Sequence, residues 1–326
     1  MLLVLDVGNT NTVLGVFAHV AKVNAAEAVL SADAVRYERL VANWRVATIH
    51  TQTVDEYGVL FRNLFAMDNL EPSGIRGIVI SSVVPPVDST LRQVCERYFN
   101  SKPLFIEPGV KTGMPVQYDN PAEVGADRIV NSVAAYEKYG GPCISVDFGT
   151  ATTFDCVSPK GEYIGGVICP GIGISAEALF GRTARLQRVD IRKPARVIGT
   201  NTVASMQSGL YYGYLGLVDG VIELLLKEMG KDTKVVATGG LASLFGSGSK
   251  YIKTVDDLLT LDGLRIVWER NLPVKREAAS VKTKGATASK HSDASSANEP
   301  ASSTPPAKAG LPDDSKPWPG SKSRSR

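Results

Sequence analysis

The amino-acid sequence predicts an α/β fold made of two related halves, and three observations carry that reading. Asp6-Val7-Gly8-Asn9-Thr10-Asn11-Thr12 follows the apolar run Leu2 to Leu5, and Asp147-Phe148-Gly149-Thr150-Ala151-Thr152-Thr153 follows Ile144-Ser145-Val146. A second β-like run comes after each, Val13 to Phe17 and Phe154 to Val157, so both units read as strand, tight turn, strand. The body between and beyond them alternates β-like with helical patterns, as an α/β fold requires. Such a turn offers backbone N–H groups and hydroxyl donors where no side chain obstructs them, which suits a polyphosphate. The carboxylate that ends the strand can hold a cation or its water. Two copies predict a nucleotide gripped between two related domains.

The elements follow in order. Val41 to Val46 reads as a third strand, and Thr53 to Ala66 as a helix with Tyr57, Leu60, Phe61, Leu64 and Phe65 on one face. Gly77 to Ser82 is a buried strand, and Pro85-Pro86 opens a helix through Phe99. Pro103 to Ile106 is another strand, and Pro121 to Tyr139 suits a helix capped by Asn120. The second half repeats the pattern: strands near Ile144, Phe154 and Ile164, helical sequence from Asn201 to Met229, then a strand at Val235-Val236-Ala237. Ala18 to Glu38 lacks clear turn chemistry and reads as an inserted excursion.

Composition excludes several classes. With 326 residues, 44% of them hydrophobic and 21% charged, the chain suits two ordinary domains plus a tail. No apolar run is long enough to span a bilayer, and the N-terminus lacks a signal-peptide pattern. Four unpaired cysteines and three histidines argue against a zinc site or disulfide framework, so a cytoplasmic protein without a membrane partner is expected. The formal charge of +3 conceals a division, since ten Lys/Arg face five Asp/Glu from Leu272 to Arg326. That Ser-, Ala-, Pro- and Lys-rich segment, 272–326, reads as a disordered low-complexity tail, a solubilising extension more than a specific nucleic-acid binder.

The chemistry narrows further by elimination. The P-loop pattern Gly-x-x-x-x-Gly-Lys-Ser/Thr does not occur. Gly171-Ile172-Gly173-Ile174-Ser175-Ala176 matches a dinucleotide fingerprint with Asp190 downstream, but it follows Pro170 and leads into Arg-rich loop sequence, so an NAD site is disfavoured. Ala237-Thr238-Gly239-Gly240-Leu241-Ala242 follows a strand and opens a helix. Its glycines would admit a flat purine, or merely join strand to helix. Gly125-Ala126-Asp127-Arg128 puts an acid near a helix start, where it either takes a proton from a substrate alcohol or simply meets the helix dipole.

Taken together, Asp6 to Thr10, Asp55-Glu56-Tyr57-Gly58, Ser81-Ser82-Val83-Val84-Pro85, Gly125 to Arg128, Asp147 to Thr153, Gly165-Gly166-x-Ile168-x-Pro170-Gly171 and Ser205-Met206-Gln207-Ser208-Gly209 closely resemble the type III pantothenate kinases. These belong to the acetate kinase, sugar kinase, Hsp70 and actin superfamily. The resemblance runs from Met1 to about Asn271. It implies two ribonuclease-H-like domains, 1–122 and 123–271, with mixed sheets flanked by helices and the nucleotide in the cleft between them. It implies ATP with Mg²⁺ on Asp6, Val7, Gly8, Asn9, Thr10, Asn11, Thr12 and Val13, with Thr150 touching the nucleotide. Asp147 would hold a monovalent cation, K⁺ or NH₄⁺. Pantothenate would sit against Tyr118, Gly125, Ala126, Asp127, Arg128 and Thr202, with Asp127 as general base, in a homodimer whose contact includes Ser205 to Tyr214 unless that segment is a buried helix. Another superfamily kinase, or a regulator that binds nucleotide without turnover, are the competing expectations.

Overall fold

Two five-stranded sheets of one topology carry the chain. The computed structural model describes residues 1–20 and 36–272, all within the compact unit Met1–Lys275. The first sheet comprises β1 (Leu2–Val7), β2 (Asn11–Val20), β3 (Arg36–Ala47), β4 (Gly77–Ser82) and β5 (Leu104–Phe105) in the order β3-β2-β1-β4-β5. The second comprises β6 (Cys143–Phe148), β7 (Ala151–Val157), β8 (Tyr163–Pro170), β9 (Lys234–Thr238) and β10 (Thr254–Val255) in the order β10-β9-β6-β7-β8. In each, the central strand pairs antiparallel with its hairpin partner and parallel with the strand on its other side.

Seven α-helices complete the unit: α1 (Val54–Met67), α2 (Pro85–Phe99), α3 (Ala126–Tyr139), α4 (Ile172–Gly181), α5 (Thr202–Met229), α6 (Ala242–Gly246) and α7 (Leu259–Asn271). Local chemistry sets their starts. Thr53 and Glu56 form a reciprocal capping box on α1, tandem prolines open α2, and the Asn201 side chain caps α5. Strand alternation then sorts the core. Leu3, Leu5 and Ile80 face the outer helices α1 and α2, through Phe61, Phe65 and Leu91, whereas Leu2, Val4 and Val79 face inward. Ile144, Val146 and Ala237 likewise pack outward against α5 and α6, while Cys143 and Val236 face inward. Both faces of both sheets are thus covered, which is why the central strands read as continuous apolar runs.

The inner layer is the pair α3 and α7, packed against each other. Val130, Leu261 and Leu264 join the inward residues of the first sheet, and Ile129, Val133, Leu259 and Val267 join those of the second. A helix from the end of the described chain thereby locks onto the first strand.

The structure corrects several expectations. The segment 121–139 is not one helix: Pro121–Glu123 is a 3-10 turn capped by Asn120, and α3 begins at Ala126 after an extended Gly125 with ψ 143°. The excursion at 18–38 is strand at both ends, with Val20 paired to Arg36, and its remaining residues, 21–35, lie outside the described residues. The tail reading also falls outside them, beyond Leu272. Helices α4 and α7 and strand β10 were unanticipated. Helix α5, 28 residues at a mean hydropathy of 1.3, has the length and composition of a membrane span. Tyr211, Tyr214, Val218 and Ile222 nevertheless sit in a protein core.

Close approach of α7 to α3 depends on Gly263, where a Cβ would come 2.2 Å from the Val130 carbonyl oxygen. Backbone cannot yield there as a flexible side chain can. Gly263→Val is expected to cost at least about 1–3 kcal/mol by overpacking. A fall in the thermal midpoint, read by circular dichroism, checks it; an unchanged midpoint would show that the inner layer tolerates separation.

Candidate active site

Both hairpin turns are built alike. Gly8 N–H donates to the Asn11 carbonyl at 3.0 Å, and Gly149 N–H to the Ala151 carbonyl at 3.1 Å. The turns meet: the Thr10 and Thr150 hydroxyls are 2.9 Å apart although 140 residues separate them in sequence. Asp6 continues the inward row of Leu2 and Val4, and Asp147 that of Cys143 and Ser145, so the period of two aims both carboxyls into the space above the helix pair. Asp127 enters the same space from the first turn of α3, and Thr260 and Leu261 from the start of α7. Two helix N-termini, each a favourable end for an anion, therefore point into the cleft.

The cleft encloses ≈ 220 Å³ between Asp6, Asp127, Asp147, Asp257 and the two turns. Its electrostatics are adverse to its own carboxylates. Burial first, then Asp127 and Asp147 as like charges, pushes the Asp6 carboxyl up to about 8, against the opposing pull of Ser81 and Arg45. Asp147 is pushed up to about 7, by burial first and then by Asp127, although Asn131 Nδ2 donates to it at 3.0 Å. Asp127 is raised by burial, opposed by the Arg128 N–H that donates to its Oδ1 at 2.8 Å. The Thr260 hydroxyl donates to Asn131 at 2.7 Å, completing a chain from α7 through α3 to β6.

Two glycines are required by this geometry. Gly239 has φ +93°, and a Cβ there would meet Asp147 Oδ1 at 2.5 Å; a Cβ on Gly125 would meet Asp127 Oδ1 at 2.6 Å.

A second cluster lies on the other side of Asp127. Arg128 Nε donates to the fully buried Asp155 at 2.7 Å, and the Tyr163 hydroxyl donates to the same carboxyl oxygen at 3.0 Å. The Tyr118 ring stands 6.2 Å from that of Tyr163, and Arg128 Nη2 is buried without a hydrogen-bond partner. Gly166 makes room for it, since a Cβ there would sit 2.8 Å from Nη2.

Of the residues singled out from sequence, Asp6, Gly8, Asn9, Thr10, Asn11, Val13, Asp127, Asp147 and Thr150 line the cleft. Val7 and Thr12 are buried beneath the first turn, the latter 2.9 Å from the Thr48 hydroxyl. Tyr118 and Arg128 belong to the second cluster, with Gly125 and Ala126 leading into Asp127. Thr202 stands apart from both, at the start of α5. Gly171 supports the second turn, its N–H donating to the Thr150 carbonyl at 3.1 Å, and Gly173 faces open space. Sequence reasoning missed Arg45, Asn131, Asp155, Tyr163, Asp257 and Thr260. Only Arg45 left a readable signal, a charged residue at the end of a β-like run.

The duplicated architecture, with its paired turns facing across a carboxylate-lined cleft, has a counterpart among solved kinase-fold structures. A Sinorhizobium meliloti protein assigned as a 2-dehydro-3-deoxygalactonokinase shares the fold at TM-score 0.52 and 12% identity, over 84% of this chain and 100% of that one. Sequence narrows the class to one family. The family model of type III pantothenate kinase matches residues 2–224. Curated relatives described as type III pantothenate kinase are 74% identical over 271 residues in Koribacter versatilis, covering 83% of this chain and 96% of the relative. Another, in Acidobacterium capsulatum, is 57% identical over 269 residues, covering 82% and 94%. The chain belongs to the type III pantothenate kinase family.

The raised Asp6 carboxyl has a consequence for stability. Between its unfolded value near 3.8 and its folded value of about 8, the native state holds a proton that the unfolded chain has released, so stability falls as pH rises through that window. In chelator-treated, nucleotide-free protein, Asp6→Asn is expected to raise the thermal midpoint at pH 8 more than at pH 5, each kcal/mol regained being worth about 2–4 °C in a domain of this size. Melting curves at the two pH values check this; equal shifts would mean that Asp6 carries no buried-charge cost.

Proposed function

We propose that this chain transfers the γ-phosphoryl group of ATP to the primary hydroxyl of pantothenate, giving 4′-phosphopantothenate at the entry to coenzyme A biosynthesis, with Asp127 as general base. The observation that supports the assignment of Asp127 is its place on the first turn of α3, with the carboxylate cleft on one side and the Arg128–Asp155–Tyr163–Tyr118 cluster on the other. ATP would lie along the two turns. Pantothenate would lie against Tyr118 and Arg128, whose open Nη2 suits a carboxylate.

Phosphoryl transfer asks a protein mainly for positioning and charge neutralisation. The acceptor alcohol gives its proton to the Asp127 carboxylate as its oxygen bonds to the γ-phosphorus, and the bond to the bridging oxygen breaks to release ADP. Because the alcohol becomes acidic only as that bond forms, Asp127 need act only then. Gly125 lets the carboxylate hold this position, and the adjoining Arg128 amide orients it.

The residues present also fit cations. Asp6, Asp127 and Asp147 are hard oxygen donors whose carboxyls burial pushes upward, so that a bound cation would favour their charged form. Among the described residues no three acidic, His or Cys side chains converge closely enough to hold a metal by themselves. Mg²⁺ beside Asp6 would be held largely by phosphates and water, and K⁺ or NH₄⁺ would sit beside Asp147. When bound, such ions would neutralise charge on the phosphate oxygens.

A homodimer completes the reading. Gly209, Gly213, Gly216 and Gly220 run along α5 with open space beyond each, flanked by the exposed Leu217 and Leu224. A second copy packed there accounts for the excess apolarity of α5 and gives Thr202 a route to an acceptor pocket. Leu224→Arg is expected to lower the sedimentation mass to that of one chain; a mass of two chains in that variant would place the contact elsewhere.

The test of function is ADP release from purified protein with and without pantothenate, in potassium and in sodium. Release should require pantothenate and exceed the sodium rate in potassium. Asp127→Asn should retain its fold and its thermal stabilisation by a non-hydrolysable ATP analogue yet lose about 10²–10⁴-fold in kcat, the usual worth of a general base. Turnover near that of the parent would remove Asp127 from the role.

A further inference from the structure

We infer that Arg45 is a polyphosphate ligand, the fixed cation of the nucleotide site; the inference rests on the kinase reading above and adds a residue to it. The sheet register carries the argument. Val13 pairs with Asp6 on one side and with Arg45 on the other, so the three residues form one row across β1, β2 and β3 and project from one face. All three line the cleft. Arg45 therefore stands two strands from Asp6, on the same side, beside Val13 of β2.

Charge gives the row its meaning. Among the described residues, the side chains lining the cleft include four carboxylates, from Asp6, Asp127, Asp147 and Asp257, and a single cation, Arg45. The guanidinium makes no ion pair with any of them among the described residues, yet it is near enough to draw Asp6 and Asp147 electrostatically. A P-loop lysine, the usual fixed cation for β- and γ-phosphates, has no counterpart in this sequence, and the first turn ends in Val13. Guanidinium geometry matches two phosphate oxygens at once, and Arg stays charged at any working pH.

Position relative to the second sheet supports the same role. A Cβ on Gly240 would come 2.9 Å from Arg45 Nη1, so the guanidinium reaches from the edge strand of one sheet to the turn after β9 in the other. The duplicated half has no equivalent. Its corresponding row runs Asp147, Thr153, Ile168, and Ile168 is 61% exposed. One cation serves the cleft, and it bridges both walls where the phosphates would pass.

The experiment compares parent, Arg45→Ala, Arg45→Lys and Gly240→Ala. Each should melt within a few degrees of the parent without ligand, because Arg45 is exposed and makes no ion pair among the described residues. Affinity for a non-hydrolysable ATP analogue, by calorimetry, should fall at least about tenfold in Arg45→Ala, the scale of one charge-assisted contact, with a matching fall in kcat/KM for ATP. Arg45→Lys should recover part of that loss. Gly240→Ala, which displaces the guanidinium, should lose several-fold. Pantothenate binding measured alone should stay at the parental value in all four. Arg45→Ala with analogue affinity and kcat/KM for ATP within twofold of the parent would overturn the inference and leave the kinase reading standing. A parent protein that binds no ATP analogue would overturn both.

Discussion

The helix pair α3 and α7, held between two sheets, is the constraint on which the site depends. Each sheet buries its inward residues against the same two helices, so the spacing of the sheets is that of a helix layer. Asp6 and Asp147 are the inward residues just beyond that layer, where the helices have ended and the sheets continue. Helix packing thus opens the cleft, and the strand period of two points carboxyls into it. The Thr260–Asn131–Asp147 chain ties both helices to the second sheet at that level.

Much of this was legible in the sequence because it is local. The two strand–turn–strand units, the strand at Gly77–Ser82 and the helix at Pro85–Phe99 are set by residues that are neighbours in the chain. What was not legible depends on distant partners. Helix α7 has apolar residues at helical spacing, Leu261, Leu264, Val267 and Trp268, but no side chain caps it and Gly263 interrupts it. The glycine weakens helix propensity and is kept because Val130 leaves no room for more. Arg45 escaped notice for a similar reason. Its importance lies in a lateral row across three strands, and nothing within β3 reveals which row it joins.

The break of 121–139 into a 3-10 turn and a later helix shows how a local rule yields to the site. Asn120 and Pro121 signal a helix start, and they deliver one short turn. The chain then extends through Gly125 before α3 begins, which puts Asp127 on the first helical turn, beside the positive end of the dipole and facing the cleft. A helix running unbroken from Pro121 would have buried that carboxyl in mid-helix. The sequence departs from regular structure just before the residue proposed as general base.

A cleft of four carboxylates and one arginine is an unexpected home for a polyanion, and the imbalance explains its design. Burial pushes the carboxyls of Asp6, Asp127 and Asp147 upward, and like charge adds to the push on Asp6 and Asp147. Under the proposed function, a nucleotide arriving with cations would supply the missing positive charge, so that carboxylates and phosphates would be neutralised together. Affinity would then be linked to the ions that accompany the phosphates, with the protein's own fixed contribution reduced to two helix ends, two hydroxyl-rich turns and the proposed Arg45. Discrimination against nucleotide without cations would then follow from repulsion among the cleft's own carboxylates and the phosphates, with no further contact required.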